Sequence, residues 1–147
     1  MTTRRTKQRP PKAEPVTVPT LTAAQTATLE IYDTTLRDGA QAEDVSFSVE
    51  DKIRIAQQLD DLGVQYIEGG WPGANPKDIE FFRQIKTLPF RHATVVAFGS
   101  TRKASNPVRQ DRNLQALLAS EMQTITLFGK SWSFQVTDAL NISLAKN

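Results

Sequence analysis

From Leu29 onward the chain alternates short apolar segments with amphipathic ones, and this alternation limits its possible folds more than any other feature. Leu29 to Asp33 alternates apolar and polar side chains as a strand does. Ser46 to Leu62 predicts a helix. Ser48 and Asp51 form a capping-box variant, Ile53, Ala56, Leu59 and Leu62 recur at helical spacing, and Gly63 supplies the stop. Val64 to Glu68 reads as a second strand. Asn75-Pro76 opens a second helix with Ile79, Phe82 and Ile85 as its buried stripe, ended by Pro89. Ala93 to Phe98, Leu114 to Ser120 and Thr124 to Phe128 continue as strand, helix and strand, and a further helix begins near Val136.

Strands separated by helices at this spacing imply parallel pairing through crossover connections. Periodicity alone leaves two architectures open, a doubly wound sheet and a barrel. Length favours the second. A (β/α)8 barrel takes about 250 residues, and residues 29–147 hold four strands and at most four helices, near half of that. The expectation is therefore an α/β fold, the N-terminal half of a TIM (β/α)8 barrel with about four parallel strands and crossover helices. Such a half leaves two strand edges unpaired and one sheet face uncovered. It is marginal unless it dimerises, finds a partner or repacks.

Residues 1–28 differ in kind. Arg4, Arg5, Lys7, Arg9 and Lys12 face Glu14 as the one acid, Thr and Pro are frequent, and large apolar residues are nearly absent. A segment of that composition cannot bury enough surface to offset its ordering entropy, so 1–28 is expected as a disordered basic extension and 29–147 as the folded domain. With the leader set aside, the overall charge of +2 conceals a mildly acidic body with no basic face for nucleic acid. No apolar run nears the roughly 18 residues of a membrane span, and no secretory signal pattern opens the chain. The absence of cysteine excludes disulfides and thiolate metal sites and suits a cytoplasmic location.

Chemistry gathers in Asp33-Thr34-Thr35-Leu36-Arg37-Asp38-Gly39-Ala40-Gln41, directly after the first strand. In parallel α/β folds the loops after strand C-termini collect ligand groups. Arg37 offers a fixed cation for a carbonyl or oxyanion, Asp38 hard oxygens for a divalent cation, and Gln41 an amide able to orient a carboxylate. The plain alternative is an Arg–Asp pair that steadies a loop. Glu68, at the end of the second strand, faces the same mouth and either supports Arg37 or is satisfied by backbone donors. His92, the one histidine, precedes the third strand and so sits at the wrong end of a barrel; it reads as structural or solvated. Gly69, Gly70 and Gly73 lack phosphate-loop spacing, and Arg102, Lys103, Arg109 and Arg112 read as a solvated loop cluster. Trp71 and Trp132 read as walls of the mouth or packing under loops.

The Asp33–Gln41 stretch resembles the signature of the pyruvate carboxyltransferase-like family, which includes isopropylmalate, homocitrate and citramalate synthases and hydroxymethylglutaryl-CoA lyase. Tyr66 to Asp78, Ala97 to Arg102 and Thr126 to Trp132 agree with it. The Gly-Gly-Trp-Pro and Gly-Lys-Ser-Trp segments are most similar to the citramalate synthase-type branch. The resemblance covers residues 29–147. It implies that Arg37 is catalytic and contacts the ketoacid, that Asp38 is a ligand of the catalytic divalent metal (Mg²⁺ or Mn²⁺, or else Zn²⁺), and that Gln41 lines the ketoacid site; Glu68 is expected with Arg37 and Gln41 among the substrate-binding residues.

The implied reaction is a Claisen condensation of acetyl-CoA with pyruvate to citramalate and CoA, an acyl transfer in isoleucine biosynthesis. The alternative acceptor is 2-oxoisovalerate, as in 2-isopropylmalate synthase. The family completes its metal site with a His-x-His pair, and draws a glutamate and a threonine, from strands beyond Asn147. This chain alone is thus expected to be inactive, a piece of a parent that is commonly a homodimer with a regulatory C-terminal domain. A non-catalytic remnant, or a half-barrel subunit that needs a partner chain, is the competing expectation.

Overall fold

The computed structural model describes residues 29–147, so the disorder expected for 1–28 lies outside the described residues. Four parallel strands, β1 (Tyr32–Asp33), β2 (Tyr66–Gly70), β3 (Thr94–Ser100) and β4 (Thr124–Phe128), lie side by side in the order β1-β2-β3-β4. Helices α1 (Val49–Leu62), α2 (Pro76–Ile85) and α3 (Arg112–Ala119) connect them. A doubly wound sheet reverses its strand order near the middle. Strictly sequential order is the arrangement of a barrel, and it excludes the open alternative for these four strands.

One core serves all three helices, and it lies on one face of the sheet. Ile67 and Ala97, with Val95 and Ile125 packed against them, meet Ala56 of α1, Phe81, Phe82 and Ile85 of α2, and Leu117 of α3. Strand residues of the opposite parity, among them Tyr32, Glu68, Phe98 and Thr126, belong to the other face. The helix ends follow their local chemistry. The Ser48 side chain accepts from the Asp51 amide while the Asp51 carboxylate accepts from the Ser48 amide, and Gly63 closes α1 in the left-handed conformation. Asn75 caps α2 with Pro76 at its first position, and Asp111 caps α3.

Several expectations move. The first strand shrinks to two residues, because Leu29 (87% exposed) and Ile31 lie outside the paired segment. α1 starts at Val49 rather than Ser46. β2 and β3 extend two residues further toward their C-terminal ends than expected, and α3 begins two residues earlier. In α2 the buried stripe is Phe81, Phe82 and Ile85, while Ile79 is 55% exposed. The cause is Gly69. A Cβ there would stand 2.5 Å from Phe81 Cε1, so the bare backbone admits the Phe81 ring and turns the helix about that contact. The helix expected near Val136 is a five-residue π turn, Gln135–Ala139.

Two buried carboxylates fix the connections. Asp78 (6% exposed) accepts from Lys52 Nζ at 2.5 Å and from the Trp71 amide at 2.8 Å, tying α1 and the β2–α2 turn to one point. Gly70, at φ +150°, makes this possible, since a Cβ there would overlap the Asp78 carboxylate. Asp60 lies at the other end of the sheet, where it accepts from the amides of Arg91, His92 and Ala93 before β3. Burial alone would raise its pKa, but the three amides together outweigh burial and hold it below the usual carboxylate value.

A carboxylate favoured in the folded state stabilises at and above its unfolded pKa of about 3.9, and that contribution drains away as the pH falls through its folded value. Asp60→Asn is expected to lower stability by about 1–2 kcal/mol near neutral pH. It should also flatten the acid-side loss, and urea midpoints taken at neutral and acid pH check both. Asp78→Ala, which strands Lys52, is expected to cost about 3–5 kcal/mol in the same measurement.

Candidate functional site

The loop after β1 is shaped by its own short-range hydrogen bonds. Asp33 accepts from the amide and hydroxyl of Thr35, and the Thr34 carbonyl accepts from the amides of Arg37, Asp38 and Gly39. Leu36 is buried in the helix-side core and anchors the loop. Arg37 therefore leaves a fixed backbone and extends over the C-terminal ends of the strands. A 3₁₀ turn, Gly39–Gln41, follows.

Around Arg37 the four strands converge. Its Nε donates to Glu68 Oε1 of β2 at 2.5 Å, its Nη1 donates to Asp38 Oδ1 at 2.8 Å, and its Cζ stands 4.1 Å from the centre of the Phe98 ring of β3. The second oxygen of Glu68 accepts from the Tyr32 hydroxyl of β1 at 2.6 Å, and that hydroxyl lies 2.6 Å from Thr126 Oγ1 of β4. A carboxylate only accepts, so the single phenol proton goes to Glu68 and Thr126 must donate to the phenol oxygen. The result is a chain, Thr126 to Tyr32 to Glu68 to Arg37. Among the described residues nothing pairs with Arg37 Nη2, which keeps two donors for a ligand.

The expected site residues separate in environment. Glu68 is 2% exposed and doubly bonded, so it is a support and not a surface charge. Asp38 is the reverse: its side chain is 63% exposed, and Oδ2 has no partner among the described residues. Gln41, also exposed, lines with Arg37, Lys52, Trp71 and Lys77 a cavity of about 180 Å³ between the β1 and β2 loops. His92 lies exposed at the N-terminal end of β3, opposite the site. Trp71 donates from its indole to Asn113 at 2.6 Å and meets the Phe98 ring edge-on, which fixes the β2 loop; Trp132 is exposed. Arg102 donates to three carbonyls of its own loop, and buried Asp111 accepts from the Lys103 amide of that loop.

Sequence reasoning assigned no role to Tyr32, Phe98 or Thr126. The available signal was strand parity, because each shares its face with Glu68.

A family model described as HMGL-like matches residues 28–146. The chain belongs to the HMGL-like family. It is 56% identical over 119 residues to an (R)-citramalate synthase of Geobacter sulfurreducens, a match covering 81% of this chain and 22% of that one. The (R)-citramalate synthase of Aquifex aeolicus is 56% identical over 117 residues, covering 80% and 22%. A 2-isopropylmalate synthase of Rhodopirellula baltica is 41% identical over 103 residues, covering 70% and 19%. Among solved structures, a hydroxymethylglutaryl-CoA lyase from Pseudomonas aeruginosa superposes with a TM-score of 0.57 at 25% identity, over 79% of this chain and 37% of that one. The chain spans about a fifth of the length of the curated relatives it matches. In this HMGL-like chain the barrel architecture thus rests both on strand order and on superposition.

Burial, and then the bond to Glu68, push the Tyr32 phenol up to about 12, against the opposing Thr126 bond and Arg37 charge. A raised pKa means that the folded state holds the proton more tightly. Its contribution to stability is complete below the unfolded value of about 10 and is lost as the pH rises toward 12. In a Tyr66→Phe background, where Tyr32 is the remaining tyrosine, phenolate absorbance should develop near pH 12 in the folded chain. Development near pH 10 in that folded chain would contradict the chain of bonds. Arg37→Met, which leaves Glu68 buried without its cation, is expected to cost about 3 kcal/mol by urea unfolding.

Proposed function

We propose that this chain supplies the ketoacid-binding strands of an enzyme that condenses acetyl-CoA with pyruvate, giving citramalate and CoA. The observation that carries the reading is Arg37, held at the C-terminal end of the sheet by a buried carboxylate with both Nη2 donors left over. The 56% identity to (R)-citramalate synthases, against 41% to a 2-isopropylmalate synthase, supports pyruvate over 2-oxoisovalerate.

In the reaction a base takes a proton from the acetyl methyl group, and the resulting carbanion forms a bond to the ketone carbon of pyruvate. The ketone oxygen gathers the negative charge and is then protonated. Water finally cleaves the thioester, releasing CoA and a second carboxylate. Arg37 meets the charge on that ketone oxygen with a guanidinium that is already oriented, so little reorganisation accompanies the charge shift. Phe98 beneath the guanidinium keeps water from that side, and Gln41 offers its amide to the ketoacid carboxylate.

A divalent cation acting as Lewis acid on the ketoacid belongs to this reading. Asp38 presents a hard oxygen toward solvent, as such an ion requires. Among the described residues no group of three or more His, Cys, Asp or Glu side chains is placed to hold a metal. The described residues therefore provide one ligand of a site that needs several, and the chain by itself is proposed not to turn over.

The test exchanges residues 29–147 for the matching segment of the Geobacter sulfurreducens enzyme and follows CoA release with acetyl-CoA and Mg²⁺ or Mn²⁺. Pyruvate-dependent release is expected. Asp38→Ala should abolish it, and Arg37→Ala should lower kcat by about 100-fold or more. Release with 2-oxoisovalerate but not with pyruvate would reassign the acceptor, and release with neither would overturn the proposal.

A further inference from the structure

We infer that Tyr32 is a positioning residue for Arg37, acting through Glu68, with Thr126 fixing the phenol from the far strand. The inference rests on Arg37 as the group that meets the ketoacid, and deepens that reading.

Tyr32 is 40% exposed as a residue, but its hydroxyl is not left to water. Instead it reaches across the concave face and meets Glu68 on one side and Thr126 on the other, each at 2.6 Å. The ring needs neither bond for packing, since it already stacks on Tyr66 with centroids 6.0 Å apart. What the bonds do is fix a carboxylate. Glu68 has one oxygen on Tyr32 and the other on Arg37 Nε, so its torsion is set from both ends.

Without the phenol hydroxyl, Glu68 Oε2 is a buried anionic oxygen lacking its donor, a costly state. Glu68 regains a partner by turning toward solvent, and that turn withdraws Oε1 from Arg37. The guanidinium is then held by Asp38 alone, the residue proposed to serve a metal. Tyr32 thus keeps the two duties apart: Glu68 orients the arginine, and Asp38 stays free to ligate. Thr126 completes the arrangement by donating to the phenol, which leaves the phenol proton directed at Glu68.

The experiment uses the complete ¹⁵N-labelled chain and reads the Arg37 Nε–H cross-peak, assigned by its loss in Arg37→Lys. In the parent chain this proton should resonate downfield and exchange slowly with water. Tyr32→Phe keeps the ring, and is expected to move the peak upfield and speed its exchange by about fivefold, the value of one net hydrogen bond. Thr126→Val should shift it in the same direction by less. A residue that merely packs would leave the peak in place in both variants, and that result overturns the inference. If Tyr32→Phe fails to fold, Thr126→Val decides alone, a shift supporting the inference and an unmoved peak overturning it. Because the cross-peak is read without ligand, failure of the ketoacid reading appears separately, as absent CoA release in the exchanged enzyme.

Discussion

Strands in a flat sheet stand about 4.8 Å apart, which would put the first and fourth of four roughly 14 Å from each other. Yet Tyr32 on β1 and Thr126 on β4 approach to 2.6 Å above the same face. Even a tyrosine covers only part of that span, so the sheet must curl toward the side away from the helices. Everything at the candidate site depends on this curl. It brings residues from separate strands beneath one guanidinium, and it turns a row of side chains along the strand ends into an enclosure. Twist alone would spread the same residues out.

The two faces of the sheet solve different problems. The helix side is held by aromatic and aliphatic contact made close by Gly69, whose missing side chain is replaced by the Phe81 ring. On the concave side charge is placed and then satisfied, with Glu68 buried between Tyr32 and Arg37. Asp78, Asp60 and Asp111, on the helices and their caps, are buried as well, and among the described residues no buried side-chain nitrogen or oxygen lacks a partner. Asp60, Asp78 and Asp111 each stand near a helix end, where spare backbone donors or a cation are within reach. Asp38 is the exception, with its side chain 63% exposed.

Much of the fold was legible because its signals are local. Ser48 with Asp51, Gly63, and Asn75 with Pro76 each report on neighbours within a few residues, and each marks the helix end it suggested. The short first strand and the misplaced stripe of α2 were hidden because they depend on distant partners. Leu29 and Ile31 look like strand residues, but β2 pairs only with Tyr32 and Asp33. Ile79 fits the helical period, but Gly69 on another element decides that Phe81 is buried instead. At the candidate site, the loop from Asp33 to Gln41 was readable as chemistry from adjacent residues. Tyr32 and Thr126 were not, since 94 positions separate them in sequence and only the curvature of the sheet makes them neighbours.

Sequential strand order has a consequence for how such a chain is made. Each strand pairs with the one synthesised just before it, so a partner edge is already waiting whenever a new strand emerges from the ribosome. The growing sheet offers one advancing margin, and no later segment has to insert between strands that have already joined. Loop-closure entropy is thereby met in small successive instalments. The crossing from Tyr32 to Thr126 is the long-range exception, and it can form only once β4 has been laid down; that contact therefore marks the moment when a ribbon of strands first acquires an inside.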